Sequence, residues 1–191
     1  MNAMRRCVLG LLLAATVGGV GAADVLPGDS LYQLRLPLTD QRGTARALDA
    51  TRGEVTVVTM FYASCPYMCP LIIDTLKLTE ARLDEAKRAH LRVLMVSLDA
   101  VNDTPDRLMA LAGKRKLDAA RWTLARTDAA HVRELATALG IRYRDLGNGD
   151  FNHSSMLVLL DREGRVLART ETMGKVDAAF LAAVDGALAS P

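Results

Sequence analysis

The run VTVVTMFY at positions 55–62 constrains this chain more than any other segment. It is β-branched, aromatic and almost continuously apolar. A strand with one wet face alternates apolar and polar residues, whereas a strand without alternation has to be covered on both faces. The run therefore predicts a central, doubly covered strand. The residues that follow, ASCPYMCP, place Cys65 and Cys69 four apart, each with a proline after it. Two thiols at i and i+4 on a helical or near-helical turn face the same way. They can hold one soft metal ion together or close a short disulfide.

The other segments supply a sheet and its covering layers. Leu31–Leu38 alternates and reads as a strand, ending in a turn over 40–43. Leu71 to about Ala89 reads as a helix with an apolar face of Leu71, Ile72, Thr75, Leu76, Leu78 and Leu83. Val93–Leu98 is a second buried strand. Asp103 or Thr104 caps a helix opened by Pro105 and running to about Lys116. Thr127 caps another over Asp128–Leu139, which Gly140 stops. Met156–Leu160 and Arg165–Arg169 are strands joined by a DREG hairpin, and Val176–Leu188 is a final amphipathic helix. The order β–β–α–β–α–α–β–β–α is an α/β pattern. Its strand–helix–strand core followed by a hairpin and a helix is the thioredoxin-like arrangement, a central mixed sheet flanked by helices.

Residues 1–23 read as an export signal. Arg5 and Arg6 form a basic start, 8–20 is apolar and uncharged, and Gly21, Ala22 and Ala23 supply small residues for cleavage. The apolar stretch is short and Gly-rich for a membrane span, although an uncleaved anchor over residues 7–23 is the alternative. Residues 24–191 then form one domain, exported to the periplasm or its equivalent and soluble after cleavage; membrane contact arises only if the segment stays attached. Removing residues 1–23 takes away two arginines and no acid, which brings 24 basic residues down to 22 against 22 acidic ones. A neutral domain without a cationic stripe argues against nucleic acid as a partner. Cys7 leaves with the signal, so Cys65 and Cys69 are the thiols of the mature chain.

Cys65 lies just past the C-terminal end of the central strand, where ligand sites in α/β sheets gather. The two prolines predict a loose turn over 66–69, with Pro70 opening the long helix and Cys69 at its N-cap. A helix start favours thiolate over thiol. A stabilising disulfide is the plain alternative, but a loop this short yields little closure entropy. Zinc is disfavoured, since structural zinc takes four ligands and the pair with one histidine falls short. Of the three histidines, His90 lies in a charged stretch between a helix and a strand and His131 in a helical pattern among Arg133 and Glu134, and both read as solvated or packed. His153 lies in the polar, Gly-rich loop GNGDFNHSS entering the strand at Met156. In a thioredoxin-like sheet that loop lies beside the cysteine loop. Two thiolates and an imidazole make a three-coordinate set; the thiolates select Cu(I), and the imidazole also suits Cu(II).

Three stretches together, CPYMCP after an apolar strand, VSLDAVNDTP at 96–105 and NHSSMLVLLDREGRV at 152–166, resemble the Sco/SenC family, thioredoxin-fold copper-binding proteins that assist assembly of the cytochrome oxidase copper site. The resemblance runs from about Leu31 to Leu188. It implies one copper, Cu(I) or Cu(II), per chain on Cys65, Cys69 and His153. It places the family's acidic segment at Asp99 and Asp103, for which the plainer roles are strand end and helix cap. Ala63 stands where threonine is usual and Ala100 where proline usually follows the aspartate, and the segment from Gly113 to Asn152 is short. None of these departures removes a ligand; surface loops would choose the client. Two functions use the same pair. One is a metallochaperone that hands copper to a respiratory acceptor such as an oxidase subunit. The other is a thiol–disulfide oxidoreductase in which Cys65 and Cys69 are the redox pair. Copper carriage needs a third ligand, whereas disulfide exchange needs only an attacking and a resolving thiol.

Overall fold

Why one strand is apolar throughout is clear from what covers it. The computed structural model describes residues 25–189; the export segment expected over 1–23, with Cys7, lies outside them. In chain order the elements are β1 (Pro37–Asp40), β2 (Ala45–Ala47), β3 (Val55–Phe61), α1 (Met68–Glu80), α2 (Glu85–His90), β4 (Leu91–Ser97), α3 (Pro105–Lys114), β5 (Trp122–Arg126), α4 (Ala129–Leu139), β6 (Tyr143–Asp145), β7 (Phe151–His153), β8 (Leu157–Leu160), β9 (Val166–Thr170) and α5 (Ala178–Ala189). Seven strands form one sheet in the order β2-β1-β5-β4-β3-β8-β9. β3, β4 and β5 run parallel, while β8 pairs antiparallel with β3, and β1 with β5. The sheet is mixed and thioredoxin-like, as the element order predicts.

Every residue of β3 is buried. Val55, Val57 and Phe61 face a layer made by Ile72, Ile73 and Leu76 of α1, Leu108 of α3, and Phe180 and Val184 of α5. Val58 and Met60 face the other layer, Val132, Leu135 and Leu139 of α4 with Leu31 and Tyr32. Burying a side chain of this size stabilises by about 1.5–3 kcal/mol each, so the two layers fix the position of the β3 C-terminus firmly. Among the described residues no helix is long and apolar enough to cross a membrane.

Several elements differ from the sequence reading. Leu31–Leu34 is a 3₁₀ turn and not part of a strand: Ser30 Oγ accepts the Tyr32 amide at 3.2 Å, and Arg35 then takes a left-handed conformation with φ 48°. Leu31 and Tyr32 are both buried although adjacent, which a one-sided strand cannot do. The long helix expected from 71 to 89 is broken after Glu80, because the Asp84 carboxylate accepts the Lys87 amide at 2.8 Å and caps a separate short helix. Thr104 caps α3, and Asp103 does not. Asp128 caps α4, accepting the Ala130 and His131 amides, while Thr127 donates to the Pro37 carbonyl. β2, β5, β6 and β7 have no counterpart in the sequence reading. β5 is a five-residue, largely buried strand that follows Arg121 and ends at Arg126, paired with β4 on one edge and β1 on the other.

Candidate metal centre

The turn after β3 is built by its own backbone and by one buried acid. The Cys65 amide donates to the Tyr62 carbonyl at 3.2 Å, reversing the chain. The Ala63 amide donates to Asp103 Oδ2 at 2.8 Å, and Ser97 Oγ donates to the same oxygen at 2.5 Å. Asp103, buried at the start of α3, thus ties the turn to the end of β4. Asp99 organises the intervening loop, accepting the Val101 and Asn102 amides at 3.2 and 2.9 Å. Neither aspartate belongs to the group that could hold a metal.

α1 starts at Met68, two positions before the expected opening at Pro70, so Cys69 lies inside the first turn and not at the N-cap. Pro70 is tolerated in the first turn because amides there have no intrahelical acceptor. Tyr67 occupies the N-cap without a side-chain hydrogen bond. The sulfur of Cys65 does the capping instead, accepting the Cys69 amide at 3.4 Å. Cys69, 3% exposed, accepts the Tyr62 amide on its own sulfur at 3.4 Å. Cys65 is half-buried, and both thiols are free.

This arrangement splits the pair electrostatically. The hydrogen bond from the Cys69 side chain, with amides of Cys69 and Tyr67 and despite burial, pulls the Cys65 thiol down to about 4. The same bond, followed by burial and the charges of Cys65 and Asp103, pushes the Cys69 thiol well up. At neutral pH the pair is one thiolate at Cys65 and one thiol at Cys69. Burial and the adjacent Cys65 push the Tyr62 hydroxyl up to about 12, so it stays protonated.

His153 arrives on a second piece of chain. The expected loop is a small hairpin in which β7 pairs antiparallel with β6, with Tyr143 opposite His153 and Asp145 opposite Phe151. His153 Nδ1 donates to the Ser154 carbonyl at 3.1 Å, which fixes the tautomer and leaves Nε2 as the acceptor. That Nε2 is buried and has no hydrogen-bond partner. One ligand atom each of Cys65, Cys69 and His153 lies within 4.8 Å of the others. Among the described residues this is the group of three His, Cys, Asp or Glu side chains that could hold a metal ion. A buried imidazole nitrogen without a partner beside two sulfurs fits a soft metal, because an unpaired buried acceptor is otherwise costly.

Tyr62 and Phe151 complete the surroundings, and the sequence reading gives neither a role. Tyr62 packs on Phe151 with ring centroids 5.2 Å apart and meets the His153 ring edge-on at 5.9 Å. These rings wall the site with apolar surface and hold the imidazole plane. The available signals are positional: Tyr62 ends the buried run, and Phe151 stands two before the histidine. His90 and His131 stay outside. His90 is exposed at the end of α2, and His131 Nδ1 pairs with Asp128 at 2.5 Å on the surface.

Residues 28–186 match the SCO1/SenC family. A SCO1 protein homolog of Bacillus subtilis (strain 168) is 24% identical over 131 residues, which is 67% of this chain and 67% of that protein. Among solved structures, Arabidopsis thaliana ScoI with copper bound is 16% identical with a TM-score of 0.66, over 80% of this chain and 93% of that one. BsSco, a member of the Sco family of cytochrome c oxidase assembly proteins in which a disulfide switch was identified, is 21% identical with a TM-score of 0.67, over 81% of this chain and 92% of that one. At these identities the structural likeness shows a shared fold.

Proposed function

The chain belongs to the SCO1/SenC family, and from that premise we propose that it is an exported metallochaperone carrying one copper on Cys65, Cys69 and His153. The observation that supports it most is the convergence of two sulfurs and a buried, unpartnered imidazole nitrogen within 4.8 Å. Copper is the cargo. The sulfurs favour Cu(I), and the imidazole extends the set to Cu(II). The receiver is a copper-accepting respiratory protein such as an oxidase subunit, reached in the periplasm after loss of residues 1–23 or from a membrane anchor over residues 7–23. Cys65 is already a thiolate at neutral pH, so it engages the metal first. Cys69 has to surrender its proton, and metal uptake is therefore coupled to release of about one proton. The partial exposure of Cys65 leaves a path for an acceptor's sulfur to displace it.

One observation favours a second activity at the same pair. Cys65 is reachable and Cys69 is buried directly behind it, the Cys69 amide donating to the Cys65 sulfur at 3.4 Å, which places an attacking and a resolving sulfur side by side. The chain would then also act as a thiol–disulfide oxidoreductase towards acceptor cysteines. Copper uptake tests the primary reading. Reduced protein should bind one copper, while Cys65→Ser and the disulfide form should not; uptake undiminished in Cys65→Ser would defeat the proposal.

A further inference from the structure

Beside the cysteine pair lies a cavity of about 240 Å³ that His153 does not line. Its walls include Cys65, Cys69, Ile73 of α1, Leu111 of α3, and Lys114 and Arg115 at the end of α3. The volume is below that of drug-sized pockets, and suits a ligand of one or two amino-acid residues. Lys114 makes no ion pair among the described residues. Arg115 gives one terminal nitrogen to Asp74 and to the Pro70 carbonyl, while its Nε is buried without a hydrogen-bond partner. Asp74 therefore offsets part of the Arg115 charge, and the exposed Lys114 ammonium is left for a ligand. The cavity wall combines the sulfurs of Cys65 and Cys69, apolar surface at Ile73 and Leu111, and the Lys114 ammonium beside Arg115.

We propose that this cavity binds a small thiol compound bearing a carboxylate, and that Cys65 exchanges disulfides with it. The proposal rests on the oxidoreductase reading of the pair and names its small-molecule substrate class. The carboxylate meets Lys114, the stem lies on Ile73 and Leu111, and the sulfur faces Cys65, the more exposed of the two thiols. In one direction the Cys65 thiolate attacks a sulfur of the small disulfide. A Cys65 S–S bond forms, the original S–S bond breaks, and one small thiolate leaves. Cys69 gives up its proton to that thiolate and attacks Cys65 Sγ, which expels the second small thiolate. The protein dithiol loses two electrons and the small disulfide gains them. In reverse, two small thiols reduce the protein disulfide and restore the dithiol that metal binding requires.

The test uses the purified reduced protein with 3,3′-dithiodipropionate as the anionic probe, 2-hydroxyethyl disulfide as the neutral one and cystamine as the cationic one. Rates at Cys65 are read by peptide mass and divided by each reagent's rate with a free small thiol. The expected order is anionic, neutral, cationic, with a first-to-last ratio of about ten-fold or more at low salt that collapses in 1 M salt. Lys114→Glu should lower that ratio about five-fold or more, leave the neutral rate unchanged and keep one copper bound. Lys114 is exposed, so the variant should fold; Lys114→Ala should shift the ratio the same way by less. Equal normalised rates in the wild type, or a ratio untouched by Lys114→Glu, would overturn the site. Charge-ranked rates in a protein that takes up no copper would remove the chaperone reading and leave this one standing. Copper uptake without reaction towards any of the disulfides would remove this one alone.

Discussion

Asp103→Ala is expected to cut the link that holds the cysteine turn in place. Asp103 Oδ2 accepts both the Ala63 amide at 2.8 Å and the Ser97 hydroxyl at 2.5 Å, and the side chain is fully buried. Hydrogen bonds to a charged group contribute about 1.5–3 kcal/mol each. The cost is reduced because the carboxylate is itself held unfavourably: burial first, with the Asp99 charge, raises its pKa above the ordinary 3.8, and Oδ1 has no partner. A net loss of about 2–4 kcal/mol follows, which lowers the melting temperature by about 6–12 °C in a chain of this length. Asp103→Asn keeps an acceptor and removes the charge. In the wild type the folded state binds this proton more tightly than the unfolded state. Asp103 therefore contributes stability that is present below pH 3.8 and is lost as pH rises through its raised folded pKa. Urea unfolding from pH 4 to pH 9 should show the wild type losing stability relative to Asp103→Asn across that window and levelling off above it. A difference that is flat, or that grows in favour of the wild type with pH, would refute the placement of a buried, strained carboxylate here.

Three further outcomes follow from the same geometry. Iodoacetamide should modify Cys65 in preference to Cys69, at a rate that stays level from pH 8 down to pH 6 and falls as pH drops through about 4, read by peptide mass; equal labelling of the two cysteines would contradict the split pair. Copper loading of the reduced protein at pH 7 should release about one proton, measured by calorimetry in buffers of different ionisation enthalpy, whereas two would mean that Cys65 is a thiol. Glu80→Ala should cost about 2–4 kcal/mol in urea unfolding, because buried Glu80 accepts from Arg121 at 2.5 Å and from the Trp122 indole at 3.1 Å. Glu80 lies at the far end of α1 from the cysteines, so copper affinity should not change.

What the sequence reveals about this protein depends on how local each signal is. The unbroken apolar run of β3, the Pro105 start of α3 and the Gly140 stop of α4 are each decided by a few adjacent residues, and each appears in the structure where the sequence puts it. The cysteine pair is legible for the same reason. His153 is reached only through topology, because its meeting with Cys65 and Cys69 depends on β8 lying antiparallel beside β3. The hairpin that carries it is illegible: β6 and β7 have three residues each, too few to show alternation, and the glycines between them read only as loop. Asp103 looks like a helix cap because it precedes Pro105 by two positions. Its bonds to Ala63 and Ser97 bring three separate segments together, and no local pattern encodes that. Tyr62 and Phe151 look like ordinary core residues until the fold sets both rings against the imidazole.

Copper titration of the reduced protein, wild type beside His153→Ala, with disulfide exchange measured on the same samples, bears most directly on the three-ligand site. His153 Nε2 is a buried acceptor whose partner the metal would supply, while exchange between Cys65 and Cys69 has no need of it. The wild type should take up one copper, and His153→Ala should bind it roughly 10- to 100-fold more weakly, most visibly as Cu(II). Reactivity of the pair towards a model disulfide should change little. Full Cu(II) affinity in His153→Ala would contradict the three-ligand site on Cys65, Cys69 and His153.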